Sequence, residues 1–420
     1  MDARKIIMFF YIIYTGYLLV ICGVTSIALV DMIPAIVLLW MMYVAFVSGG
    51  ELSKKVCFFE TNRKYINTEL SSRVWITVSL LAIPFAILAA KYYTGLGPMQ
   101  VINNLLNGVS NYYYYQFYFA NSGIATVGLA KIPYVLMLSW VKASMIYGCV
   151  RIFFYEKCKI LMKIIMFGVC VAPHIYIAMA RGTNFEFYEF TILMIFLVLS
   201  KITSSISIKK ISINAIVALV MCFVFGVVLI AVYCSVLEAR GYAFNVKISK
   251  DICYDENAFL VQLAPGLSFV MVNLFSYLGF GMFYIASFVN EVWFSSLNNF
   301  LAGFLVKGYE SITGISTNQL MKDTIDMGVR WHPDFVNSIN EYGIVVTFVL
   351  IVLIGYFSRM LYMRGNDVWV YMAEYFIVLQ MLSFPVGNFI MSSSANKLLI
   401  IMIVFFLILG KKKGDCCGQN

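Results

Sequence analysis

The chain has only two histidines, and each stands among residues that could do chemistry with it. His332 lies in VRWHPDFVNSINEYG, where Arg330, His332 and Asp334 fall within five residues, just ahead of an apolar run that enters at about Glu341. An imidazole takes up a proton near neutral pH, a carboxylate beside it can orient the ring, and a guanidinium can hold an anion. The triplet reads either as a base with its orienting acid and anion holder, or as an ordinary polar loop. His174 precedes Arg181 by seven residues, which places both on one helical face with an axial offset of about 10 Å. Arg181 stands in MARGTNFEFYEF, followed by Glu186 and Glu189 three residues apart. Here too there are two readings: Arg181 anchors at lipid headgroups while His174 bonds a neighbouring helix, or the group binds a ligand, with His174 and Glu186 as accessories. Arg240, in EARGY, is equally anchor or ligand.

Composition dictates the scaffold that must position these side chains. Of 420 residues, 62% are apolar and 12% charged, and the mean hydropathy is +0.86. A soluble domain is about 45–50% apolar and about 25% charged, so soluble, disordered, collagenous and disulfide-scaffold classes are excluded. A membrane-crossing helix needs about 20 apolar residues. That criterion predicts spans at 6–30, 32–49, 74–94, 132–150, 160–180, 187–203, 212–237, 340–358, 368–387 and 396–410. The expected fold is all-α, a polytopic integral membrane protein with about ten, and up to twelve, transmembrane helices.

Nineteen of the 30 basic residues, against seven of the 21 acidic ones, fall at alternate joints. These are Arg4 and Lys5, the loop from Lys54 to Arg73, the joint from Arg151 to Lys163, Lys201 to Lys210, Arg359 with Arg364, and Lys411 to Lys413. By the positive-inside rule these joints are cytoplasmic and both termini lie inside. The net +9 is thus an orientation signal and implies no nucleic acid partner. The first span is too long for a cleavable signal peptide. Most cysteines fall in spans or on the inner side, so no disulfide framework is expected.

The expected organisation is an N-terminal bundle over 1–237, a large outer loop over 238–339, C-terminal spans over 340–410 and a cytoplasmic tail over 411–420. Within the loop, 258–289 is apolar enough to be re-entrant or interface-lying, with Pro265, Gly266, Gly279 and Gly281 as break points. A smaller outer loop, 95–131, carries NYYYYQFYF at 111–119, which reads as an aromatic interface belt or as a sugar-stacking surface. No P-loop, dinucleotide fingerprint or HExxH pattern occurs, and neither metal nor cofactor is expected. Among the few charges inside spans, Lys142 and Glu374 read either as a structural pair across helices or as a functional relay.

Three arginines around a histidine at one membrane face suit a membrane-tethered substrate that carries phosphate. Guanidinium forks bind phosphate oxygens in pairs, and neutralising a departing diphosphate accelerates transfer of a lipid-linked sugar without a metal. The Arg-Gly at the outer end of a middle span, the single large outer loop, and HPDFVNSINEYGIVV running into a helix resemble the bacterial O-antigen polymerases. The likeness to O-antigen ligases is more distant. His332, Pro333, nine residues and Gly343 follow the ligase spacing, whereas Pro333 and Val346 depart from its residue types. The Arg, ten residues, Gly motif of some polymerases is absent, since Arg181 reaches Ile192 and Arg240 reaches Asp251.

The resemblance implies a metal-independent, inverting glycosyltransferase on the periplasmic face of the bacterial inner membrane. It would pass a growing glycan from undecaprenyl diphosphate to the next lipid-linked repeat unit. By their shared side and type, His332 and Asp334 are expected to carry catalysis and Arg181, Arg240 and Arg330 to bind the diphosphates; membrane lipid is an expected partner, and the resemblance implies a chain-length regulator as another. Ligation of glycan to lipid A-core, and lipid-linked oligosaccharide transport, are the alternatives.

Overall fold

The computed structural model describes residues 3–55, 70–107, 109–122, 129–183, 185–205, 255–263, 265–279, 281–283, 333–364, 367–387, 389–390 and 393–409. Arg240, Arg330 and His332, the expected span 212–237 and most of the loop 238–339 lie outside them. The regular structure among the described residues is entirely helical. In chain order the helices are α1 (Ala3–Cys22), α2 (Leu29–Lys55), α3 (Ser72–Thr94), α4 (Pro98–Leu106), α5 (Asn111–Asn121), α6 (Ile132–Phe154) and α7 (Ile160–Arg181). They continue with α8 (Phe185–Ser205), α9 (Phe259–Leu263), α10 (Pro265–Leu278), α11 (Asp334–Arg364), α12 (Val368–Val386) and α13 (Ser394–Leu409).

Seven of these, α1, α2, α3, α6, α7, α11 and α12, are long and apolar enough to cross a membrane, and α13 is a shorter apolar helix. The expected 6–30 span ends early, at Cys22. The Thr25 hydroxyl donates to the Ile21 carbonyl at 2.8 Å and accepts from the Ile27 amide at 3.4 Å, which turns the chain before α2 begins. Conversely, α11 starts at Asp334, six residues before the expected 340.

Helix α12 is the central one, packed by α1, α6, α8, α10, α11 and α13 and buried along nearly its whole length. Asp367 caps it, accepting from the Trp369 amide at 3.1 Å. Buried Tyr11 and Tyr375 satisfy their hydroxyls on the Met381 carbonyl at 2.8 Å and the Glu189 carbonyl at 3.1 Å, and half-buried Tyr17 on the Met271 carbonyl at 2.9 Å. Helices α9 and α10 break at Pro265 and Gly279, two of the expected break points, and α10 packs on α1. Large apolar side chains stay exposed on α1, α2, α3, α7, α11 and α13, as on helices that meet lipid.

The tightest seam joins α2 to α11 through reciprocal glycines. A Cβ on Gly49 would strike the Val352 carbonyl, and one on Gly355 would strike the Phe46 carbonyl. Small residues at such a crossing let the two backbones touch. A Gly355→Leu chain should therefore lose about 1–3 kcal/mol of stability through overpacking. Gly168→Leu, where nothing lies within 4 Å, should leave the melting temperature in detergent unchanged. Equal melting temperatures for the two variants would sink the seam.

Candidate functional site

One end of the bundle gathers the polar chemistry. It is the end where α7 stops and α8 starts, where α12 hands over to α13, and where α11 begins. The opposite end carries the surface pair of Arg4 with Glu51 at 3.1 Å and the mostly buried pair of Arg151 with Glu156 at 3.1 Å.

Arg181 is the last residue of α7, and Gly182 closes that helix in the left-handed region at φ 60°. Only glycine fits there: φ is positive, and a Cβ would meet the Tyr112 amide nitrogen at 2.5 Å. The turn delivers Glu186 into the first turn of α8, so that a cation at one helix C-terminus faces an anion at another helix N-terminus, both favoured by the helix dipoles. Nη1 of Arg181 donates to Oε1 of Glu186. The Thr183 hydroxyl donates to Oε2 at 2.7 Å, which uses both carboxylate oxygens. Glu186 is 2% exposed, whereas the Arg181 side chain is 27% exposed, so the anion is the more deeply enclosed of the two.

The other face of that guanidinium is held by α5. Nη2 donates to the Tyr115 hydroxyl at 3.1 Å, and the guanidinium carbon lies 4.9 Å from the Tyr115 ring centre. Asn111 anchors α5, donating from Nδ2 to the Met179 carbonyl at 3.0 Å and accepting from Asn104 at 2.8 Å. His174, one level deeper on α7, donates from Nε2 to the Glu186 carbonyl at 3.1 Å. That bond puts the proton on Nε2 and the lone pair on Nδ1, which is buried with no partner among the described residues.

Below this lies a second ion pair. Lys142 on α6 donates to both oxygens of Glu189, at 2.8 and 2.7 Å, and to Oδ1 of Asn396 at 2.9 Å. Asn396 returns the contact from Nδ2 to Glu189 at 2.5 Å and to the Phe389 carbonyl at 2.8 Å. All three residues are buried. The expected partner of Lys142 was Glu374; the partner is Glu189, because Glu189 stands three residues beyond Glu186 on α8, where that helix packs against α6. Two carboxylates on one face of α8 thus neutralise two cations from α6 and α7.

Asp334 opens α11 and is fully buried. Its amide donates to the Gly387 carbonyl at 3.2 Å, and Gln380 donates to Oδ2 at 2.5 Å. Its position is thus set by α12. The short connection after α12 therefore touches both groups, Asp334 through Gly387 and Asn396 through Phe389.

Of the residues singled out from the sequence, Arg181, Glu186 and His174 come together; Asp334 meets the α12–α13 connection, whose Phe389 bonds Asn396 of the Lys142–Glu189 pair. Tyr115, Thr183, Glu189, Gln380 and Asn396 complete the arrangement without having been assigned a role from the sequence. The Glu186/Glu189 spacing was a usable signal for Glu189; a lone Asn or one Tyr in a run of four carried none. Among the described residues no three His, Cys, Asp or Glu side chains gather as a metal-binding group.

The fold and the site together define an all-helical protein with membrane-length helices and, at one end, one buried and one partly buried ion pair. No protein-family model, no curated protein and no solved structure matches the chain.

Proposed function

We propose that this protein is an oligosaccharide repeat-unit polymerase of the bacterial inner membrane, working on undecaprenyl-diphosphate-linked glycan at the periplasmic face. One observation carries the reading: a guanidinium held at a helix end by a buried carboxylate and a tyrosine, on a side chain that is only partly buried. Such a group is a fixed, permanent cation where a lipid diphosphate would sit. The resemblance in layout and in HPDFVNSINEYG supplies the rest, including ten to twelve spans, both termini cytoplasmic and the periplasmic loop 238–339.

In this reading the oxygen of an acceptor sugar hydroxyl attacks the anomeric carbon of the donor. The bond from that carbon to the diphosphate oxygen breaks, with inversion, and the electron pair leaves on the diphosphate. His332, oriented by Asp334, takes the hydroxyl proton. Arg181, Arg240 and Arg330 neutralise the diphosphates as charge develops, the step that preorganised donors accelerate most. Neither metal nor cofactor enters the scheme; a chain-length regulator is the expected protein partner.

His332→Ala should abolish elongation in cells at unchanged protein level. A gel of surface lipopolysaccharide from a deletion strain tests the wider reading. Single repeat units on the core support a polymerase, whereas core alone, with polymer left on its carrier, identifies a ligase. The buried Lys142–Glu189 pair favours a second reading, a transporter with a charged relay between helices. Reconstituted protein that moves lipid-linked glycan across a bilayer without lengthening it would establish that reading instead.

A further inference from the structure

A guanidinium offers two planar forks, one from its two Nη groups and one from Nε together with the Nη on the same side. In Arg181 the donors are spent unevenly. Nη1 is taken by Glu186, and Nη2 meets the Tyr115 hydroxyl at 3.1 Å. Nε is buried and has no partner among the described residues. Nη2 is the nitrogen on the Nε side, so the side fork, the edge that grips a carboxylate or phosphate with two parallel bonds, is half filled by a single neutral hydroxyl. A buried, unpartnered charged donor is costly to leave unmade. An anion with two oxygens would satisfy both positions at once, without disturbing the Glu186 pair behind them.

We infer that the Nε–Nη2 edge of Arg181 is a binding site for one phosphate group, and that the Tyr115 hydroxyl is a latch that occupies it until the phosphate arrives. The inference rests on the diphosphate reading of Arg181 and adds its regulation. The hydroxyl is delivered by α5, which is held to the bundle end by the Asn111 bonds and by the close approach of Tyr112 to Gly182. Tyr113, Tyr114 and Phe117 on the same helix are exposed, so α5 is not enclosed by the bundle. Exchange of hydroxyl for phosphate thus requires a shift of one side chain or of a short surface helix, while the core stays as it is.

Tyr115→Phe keeps the ring and removes the latch. In full-length protein in maltoside detergent, titration with undecaprenyl diphosphate should show binding tightened about three- to tenfold by that change, the worth of one hydrogen bond no longer competed for. Arg181→Lys, which keeps the charge and loses the fork, should not bind measurably. Unchanged or weaker binding by Tyr115→Phe overturns the latch, as does binding by Arg181→Lys that equals the unmodified chain. Parallel titrations with inorganic pyrophosphate and with phosphatidylglycerol identify the source. Binding of the prenyl diphosphate alone assigns the site to a carrier lipid; equal response to all three assigns it to phosphate whatever its carrier. Elongation that persists in Arg181→Lys cells, with the affinities as expected, removes the polymerase reading and leaves the phosphate site standing.

Discussion

Arg181→Lys should lower glycan elongation in cells by at least about a hundredfold, the effect of removing a donor that acts on developing charge, at unchanged protein level. Lysine can still neutralise Glu186, which is 2% exposed and needs a cation, but it has no planar fork to offer a diphosphate. Arg181→Ala is more damaging for a second reason: it strands that carboxylate in the interior, and protein level should fall as well. The two effects separate in the double variant Arg181→Ala, Glu186→Ala, which should recover protein without recovering elongation. Elongation restored by the double variant would show that Arg181 serves only to neutralise Glu186.

The largest loss of stability is expected at Lys142. Lys142→Met leaves Glu189 buried and deprives Asn396 of its partner at Oδ1. Breaking one side of such a pair costs about 3–5 kcal/mol. Removing both charges, as in Lys142→Met with Glu189→Leu, should return most of that loss, because the desolvation of two ions disappears along with their attraction. The melting temperature in detergent should therefore order as unmodified chain, close to or below the double variant, and well above the single variant. A double variant no more stable than Lys142→Met would mean that the packing of the lysine stem, not its charge, holds α6 to α8.

Helix class and most helix positions were legible because apolar length is a property of the sequence alone, and the seven membrane-length helices among the described residues all fall on expected spans. Pairing between helices was not. Lys142 and Glu374 look like natural partners because both sit deep in apolar runs, yet which helices adjoin, and at what rotation, is decided by packing. Helix α6 touches α8 as well as α12, and it is the α8 carboxylate that meets the lysine. Arg181 and Glu186 were legible together because they lie only five positions apart in the sequence. Tyr115 was not: in NYYYYQFYF four consecutive tyrosines are chemically alike, and the rotation of α5 selects the one that faces the guanidinium. Reading that run as a belt or a sugar platform left Tyr115 without this contact.

The glycine seam between α2 and α11 bears on how the protein is made. Gly49 and Gly355 are separated by some three hundred residues of chain, so during synthesis α2 waits in the bilayer with its glycine notch open until α11 has been inserted. The seam that brings the two ends of the sequence together is thus a late event in biogenesis. A nascent chain halted before residue 334 has the early helices and Arg181 but lacks the element that closes them. An incomplete product is therefore structurally distinct from a finished one in a feature that quality-control proteases can read, an unfilled backbone groove along α2.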